Sequence, residues 1–387
     1  MAVTIIILFA AYCAFLLSLL KGWQKVIRAK LSGSRSRSQL FTVIIPARNE
    51  AARIGGLLDD IAAQQHDNFE VIVVDDHSDD DTARVVQEKA GSTAYPLKIV
   101  RPQKSGKKNA LSAGIAEAKG SIIITTDADC RVGGQWILGM SRCFCERSVK
   151  FVSGGVRIRG DGSVWSGLQA TEFVSLIGTG AATIGLGYPT LCNGANMAFR
   201  RDVFNEVGGY AGNEHIASGD DEFLIRKVHS SYPGGVRFCS DAATVVETTA
   251  VPFGEFISQR LRWAGKWKQH RSFPGPALAV FIFSFHAAFL MILPAVVIAG
   301  EVIIPLVLIA GKMLLEYMLL RRVSAFLGTG WSWTRFGVLQ VTYPLYAVLF
   351  GIFANLKSPV WKGRKIKTQR HRNTRAIGSE PLNLPHV

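Results

Sequence analysis

The sequence is short of charge, and it has no regular cysteine framework. Only 19% of its 387 residues are Asp, Glu, Lys or Arg, against 48% hydrophobic. That excludes a disordered chain, and a mean hydropathy of +0.21 argues against a wholly soluble enzyme. The six cysteines, at 13, 130, 143, 145, 192 and 239, follow no repeated spacing and read as reduced thiols. Cys143 and Cys145 form a C-x-C pair, but no second Cys or His pair complements it as a zinc site would require. Two common phosphate-binding signatures are also missing. A dinucleotide-binding fold would place G-x-G-x-x-G after its first strand, where this chain has Pro46-Ala47-Arg48-Asn49-Glu50. Gly106-Lys107-Lys108 lacks the G-x-x-x-x-G-K-[ST] spacing of a P-loop. At this length two or more domains are expected.

Acidic residues are outnumbered 29 to 44, for a formal charge of +15. The excess is segregated. Residues 21–37 carry six basic and no acidic groups, residues 357–375 eight and none, and residues 255–271 five basic and one acidic. Together these windows hold +18, leaving about −3 on the remainder, and each adjoins an apolar run. Nucleic-acid binding would need basic residues spread over a groove-facing surface with stacking aromatics, so that class is disfavoured.

Val3 to Leu20 is uninterrupted and apolar, close to the roughly 20 residues that span a bilayer as a helix. Its positive charge follows the run, whereas a cleaved signal peptide carries it in front, so residues 1–22 read as a retained anchor and residues 23–40 as a basic linker. The positive-inside rule then keeps the following domain cytoplasmic, in an integral protein of the inner or plasma membrane. Residues 277–356 form a second membrane block of two to three helices, with apolar stretches at Ala277–Ala299, Val302–Leu320 and Phe336–Leu356. Three crossings would put the basic tail, residues 357–387, outside, against the charge rule. Lys312 and Glu316, at i and i+4, can pair on one helix face and mark a segment that is buried among helices, re-entrant or interfacial.

Residues 41–250 form one domain-sized block. Apolar runs at Phe41–Pro46, Phe69–Val74, Leu97–Val100 and Ser121–Thr125 read as strands. Ala51–Ala63, Asp79–Lys89 and Lys108–Ala118 read as helices between them, with Ile54, Leu57, Leu58 and Ile61 on one face. The alternation predicts a parallel α/β sheet with its ligand site at the carboxyl ends of the strands. Asp75-Asp76 and Asp127-Ala128-Asp129 close two of those strands. Such carboxylates can serve a hydroxyl-rich ligand and a divalent cation bridging phosphates, or cap a helix or a solvated turn. Gly219-Asp220-Asp221-Glu222 opens a helix, where an acid can complement the helix dipole or act as a general base. Residues 251–276, with Gln259-Arg260-Leu261-Arg262-Trp263, read as an interfacial segment whose arginine could grip a diphosphate.

In order, Val43 to Glu50, Val74 to Ser78, Gly106-Lys107 with Asn109-Ala110-Leu111, Asp127-Ala128-Asp129, Asn193 to Asn196, Gly219-Asp220-Asp221 and the Q-x-x-R-W of Gln259 to Trp263 resemble the family 2 glycosyltransferases. The resemblance is to their membrane-bound branch, with cellulose, chitin and hyaluronan synthases. It implies a GT-A fold and inverting transfer from a nucleotide-sugar, usually a UDP-sugar, with Mg²⁺ or Mn²⁺. It implies that Pro46, Glu50 and one of Asp75 or Asp76 hold base and ribose, that Lys107 approaches the nucleotide, that Asp127 contacts the donor and that Asp129 ligates the metal. By the same resemblance Gly194 and Asn196 line the acceptor side, Asp221 is the base, and Gln259, Arg262 and Trp263 close over diphosphate and acceptor. Many relatives have Glu-Asp where this chain has Asp220-Asp221, which leaves open whether Asp220 shares the base role. With at most four spans, transfer to a membrane lipid or lipid-linked glycan is favoured over a processive polysaccharide synthase. A membrane scaffold or sugar-nucleotide sensor without catalysis is a further alternative.

Overall fold

The computed structural model describes residues 2–29, 39–212, 219–265, 274–292, 300, 302–353, 360–361 and 364–365. Parts of the predicted basic linker, of the Ala277–Ala299 stretch and of the basic tail lie outside the described residues. The α/β alternation follows the pattern read from the sequence. β1 (Phe41–Ala47), α2 (Ala51–Ala62), β2 (Phe69–Asp75), α3 (Thr82–Ala90), β3 (Leu97–Val100), α4 (Lys107–Glu117) and β4 (Ile122–Thr125) come after the N-terminal helix α1 (Ala2–Arg28). Ile54, Leu57, Leu58 and Ile61 are the buried residues of α2. β1 is covered on both faces, which is why it reads as an apolar run rather than an alternation.

The second half of the domain comprises α5 (Trp136–Cys143), β5 (Phe151–Ser153), β6 (Val156–Arg159), α6 (Val164–Leu186), β7 (Met197–Arg200), α7 (Arg201–Glu206), α8 (Asp220–Ser231), β8 (Val236–Phe238) and β9 (Val246–Thr249). The seven-stranded sheet runs β3-β2-β1-β4-β7-β5-β8. It is mostly parallel, but β7 lies antiparallel to both neighbours, Ile124 facing Ala198 and Val152 facing Ala198 from the other side. β6 and β9 form a separate parallel pair. All six cysteines are free thiols.

Among the described residues, four apolar helices flank this domain. α1, α11 (Ile303–Leu327) and α12 (Trp333–Phe353) are long and apolar enough to cross a membrane, while α10 (Pro274–Leu290) includes a shorter apolar stretch, Ala277–Leu290. α1 is joined to the domain by close backbone packing. A Cβ added at Gly22 of α1 would come within 2.2 Å of the Ala182 carbonyl of α6, and one at Gly185 equally close to the Gly22 carbonyl. The Lys312–Glu316 pair forms at 2.8 Å and is part of a network. Gln340 of α12 accepts from Lys312 at 2.6 Å and donates to Glu316 at 2.7 Å, and the Tyr12 hydroxyl of α1 donates to Glu316 at 2.7 Å. Three helices thus share one satisfied polar cluster, the arrangement that apolar surroundings demand of buried charge. Near its start α12 lies over α6, with Arg335 against Gly167, and in its middle the Tyr346 hydroxyl reaches Glu172 of α6. The short strand β10 (Val360–Trp361), paired with β11 (Arg364–Lys365), then packs against α9 (Phe253–Ala264).

Candidate active site

The loops at the ends of β1 and β2 are laced together before any ligand is considered. Arg48 donates to the Asp76 carbonyl at 3.1 Å, Asn49 accepts from the Asp79 amide at 2.8 Å, and the Glu50 amide donates to Thr82 Oγ1 at 2.8 Å. Asn49 and His77 hold φ of 53° and 54°. Left-handed backbone at non-glycine residues is uncommon and is retained only where surrounding contacts over-determine it. Pro46 faces Val74 in this register. Asp75 and Asp76 are both buried, and they differ in their partners. Asp75 accepts from Arg101 at 2.8 Å and from the Ser78 amide at 3.0 Å, and although burial opposes ionisation, these hydrogen bonds with Ser78 and Arg101 hold its carboxyl below the ordinary value. Asp76 takes the Gly106 amide on both oxygens, at 2.9 and 3.0 Å. Gly106 has φ 117°, which a residue with a Cβ rarely adopts, so the glycine lets Asp76 set the entry of α4.

That entry aims Lys107 at the end of β4, where its ammonium lies 2.5 Å from Asp127 Oδ1. Burial would lower the Lys107 pKa, but the charges of Asp127, Asp220 and Asp221 outweigh it and hold the amine protonated. The pKa of Asp129 is raised as well. Burial and the neighbouring charges of Asp127 and Glu50 raise its pKa against the pull of Arg53 and Lys107. Arg53 spans Glu50 at 3.3 Å and Asp129 at 3.8 Å.

Gly194 is the hinge between the two halves of the site. Its carbonyl accepts from Thr125 Oγ1 at 2.7 Å, and its amide donates to Asp221 Oδ2 at 3.0 Å. A Cβ there would lie 3.3 Å from Asp220 Oδ2 and 3.7 Å from the Lys107 ammonium. Asp220, Asp221 and Glu222 all occupy the first turn of α8, where the helix dipole favours carboxylates. Asp221 Oδ1 also accepts the Glu222 amide at 2.8 Å, so backbone donors orient both oxygens. Asp220 Oδ2 is buried with no hydrogen-bond partner among the described residues, as is the nearby Tyr210 hydroxyl.

Asn196 stands apart from the acceptor-side role expected of it. Its side chain is fully buried and fully used: Trp136 Nε1 donates to its oxygen at 3.0 Å, and its amide donates to the Gly155 and Thr244 carbonyls at 2.7 and 2.9 Å. It supports the turn that carries Gly194 from below. The Q-x-x-R-W residues also divide. Arg260, an unspecified position of that motif, is the buried one, paired with Glu172 at 2.5 Å and stacked 4.5 Å from the Phe256 ring and 4.3 Å from the Trp263 ring. It also donates to the Gln259 side chain at 2.5 Å. Arg262 faces the site. Burial lowers its pKa while Asp220 and Asp127 raise it, and its Nε is buried without a partner among the described residues. Arg53, Arg101, Arg260 and Tyr210 were not singled out from the sequence. Only Arg260 had a signal there, as a second arginine on a short aromatic helix.

Among the described residues no three His, Cys, Asp or Glu side chains form a metal cage. Asp127 and Asp129 are nevertheless half-exposed carboxylates whose mutual repulsion a cation would relieve. Hard cations that keep several ligand positions for phosphate and water need no more protein than that.

Residues 42–208 match the model of glycosyl transferase family 2. Over 95 residues the chain is 37% identical to an undecaprenyl-phosphate 4-deoxy-4-formamido-L-arabinose transferase of Pseudomonas savastanoi pv. phaseolicola, covering 24% of this chain and 28% of that protein. Over 170 residues it is 27% identical to poly-beta-1,6-N-acetyl-D-glucosamine synthase of Staphylococcus aureus, covering 43% and 41%. The matches thus span less than half of these relatives. Among solved structures, the mannosyltransferase PcManGT from Pyrobaculum calidifontis, in complex with GDP-Man and Mn²⁺, superposes with a TM-score of 0.57 at 22% identity, covering 87% of this chain and 98% of that one. The shared architecture is the GT-A fold.

Proposed function

From the premise that this chain carries a family 2 glycosyltransferase domain, we propose that it is an inverting enzyme moving a sugar from a UDP-sugar to a membrane lipid or lipid-linked glycan. The reading rests on one convergence: Lys107, Asp127, Asp221 and Arg262 meet around Gly194, on a domain welded to apolar helices. Two cations stand beside an oriented carboxylate, which is what displacement of a nucleoside diphosphate by a hydroxyl requires.

In this reading the donor diphosphate meets Lys107 and Arg262, with the nucleotide over Pro46, Glu50 and the Asp75–Asp76 turn. The acceptor hydroxyl attacks the anomeric carbon from the face opposite the leaving group and gives its proton to Asp221. As the new C–O bond forms, the bond to the diphosphate breaks, and its electron pair leaves with the nucleoside diphosphate. Preorganised Lys107 and Arg262 stabilise the negative charge that develops there. A single displacement with one base inverts the configuration. Mg²⁺ or Mn²⁺, held by Asp129 and donor phosphates, would supply further positive charge to the diphosphate when bound.

The test is membranes containing the full chain, incubated with a panel of radiolabelled UDP- and GDP-sugars, with and without EDTA, and read by nucleotide release and lipid extraction. Metal-dependent label in the lipid fraction with one UDP-sugar is expected. A high-mass ladder would replace this reading with a processive synthase, and background release with every donor would replace it with a non-catalytic sensor.

A further inference from the structure

A cavity of about 270 Å³ opens where the catalytic domain meets the apolar helices, away from every residue placed above in the donor or acceptor site. Its walls are β6, the start of α6, and the Gly328–Gly330 turn joining α11 to α12, and three arginines line it, Arg157, Arg159 and Arg335, against one carboxylate, Glu247. Arg157 is already committed. It pairs with Glu247, with Nε 3.0 Å from Oε1, and donates to the Leu327 carbonyl at 2.9 Å. Gly328 makes this possible, since at φ 67° a Cβ would come within 2.6 Å of the Arg157 Nη1. Glu247 is therefore neutralised, and the charge left over belongs to Arg159 and Arg335, which make no ion pair among the described residues. Arg335 is positioned rather than loose: it lies across α6 at Gly167, where a Cβ would stand 3.1 Å from its Nε and Nη1.

The surroundings indicate which anion fits. Arg335 belongs to α12, which presents an exposed apolar stripe of Val338, Val341, Leu345, Leu349 and Ile352. Beside the cavity Trp331 and Trp333 pack on Tyr317 at 5.3 and 4.8 Å, and Trp333 is 61% exposed. Exposed aromatic clusters at the end of an apolar helix mark the headgroup level of a bilayer. Exposed Arg321 and Arg322 end the apolar run of α11 at the same end of that helix. Two arginines without acidic partners among the described residues, Arg335 held across α6 and Arg159 exposed at the rim, beside an apolar stripe, match a phosphate that carries acyl chains, because a guanidinium fork meets phosphate oxygens two at a time.

We propose that this cavity binds the phosphate of an anionic membrane lipid through Arg159 and Arg335, at a site separate from the one that carries out transfer. The test uses the full chain, purified in detergent and stripped of lipid. It is titrated with phosphatidylglycerol, with phosphatidylcholine and with inorganic phosphate, and read by melting midpoint and by lipid retention in native mass spectrometry. Phosphatidylglycerol is expected to stabilise the wild type. Arg159→Ala/Arg335→Ala should lose at least tenfold in apparent affinity for it while keeping the wild-type midpoint in phosphatidylcholine, and Arg335→Lys should fall between. If the double variant does not fold, Arg159→Ala alone, on an exposed side chain, must weaken phosphatidylglycerol binding. Unchanged affinity in these variants would overturn the site. Equal stabilisation by inorganic phosphate would overturn its assignment to a lipid.

Discussion

Lys107 Nζ lies 2.5 Å from Asp127 Oδ1, and this contact ties the first turn of α4 to the end of β4 across the middle of the site. The two residues are 20 apart in sequence and follow different strands, and the Asp76 hold on Gly106, with the sheet, brings them together. An incoming diphosphate would share the lysine with Asp127.

Lys107→Ala should therefore weaken the donor. A hydrogen bond to a charged group contributes about 1.5–3 kcal/mol, so the donor KM should rise roughly 10- to 100-fold. Initial rates against donor concentration read this directly, and an unchanged KM would take Lys107 out of the donor site.

Asp221→Asn keeps the size of the side chain and removes its basicity. Turnover should fall by roughly 10²–10⁴, the usual range for a general base, while calorimetry shows nucleotide-sugar binding little altered. Near-normal turnover would exclude Asp221. A parallel Asp220→Asn separates the two acids, because only Asp221 is held by the Gly194 amide.

Arg260 and Arg262, two residues apart on α9, should fail in opposite ways. Arg260→Ala strands Glu172 in a buried position, and removing one member of a buried pair costs about 3–5 kcal/mol, so the melting midpoint should drop sharply. Arg262→Ala breaks no ion pair among the described residues, and it should lower kcat with the midpoint preserved. Thermal denaturation and kinetics on both variants check this, and a stable Arg260→Ala protein would contradict the pairing.

The Asp75–Arg101 pair carries a pH signature. Asp75 has a lowered folded-state pKa, so its contribution to stability is complete above the unfolded value of 3.8 and is lost as pH falls through the folded value. Arg101→Ala should destabilise the protein by a constant amount between pH 5 and 7, roughly, and the difference from wild type should shrink once the medium is more acid than about 4. A penalty that instead grew on acidification would overturn the assignment.

The sheet was legible because its strands are buried on both faces and read as apolar runs between helical periods, as Phe41–Ala47 and Ile122–Thr125 do. The acids at the strand ends were legible through their shared position at two strand ends, since each pair alone suits a helix cap or a solvated turn as well. What the sequence hid depends on distance in space. Nothing local distinguishes Arg260, which locks α9, from Arg262, which faces the carboxylates. Asn196 carries a motif position yet spends its whole side chain on Trp136, Gly155 and Thr244. The antiparallel β7 was equally hidden, since strand direction follows from the connection through α6 rather than from residue pattern.

The contact of β10 with α9 bears on how the chain threads the bilayer. α9 precedes α10, α11 and α12, and β10 comes after them, so the path between is a closed excursion that returns to its starting side. If its helices span a bilayer, such a path crosses it an even number of times. An even count would place Arg364 and Lys365 of β11 on the same side as Lys21 and Lys25 at the end of α1, the arrangement that the positive-inside rule expects.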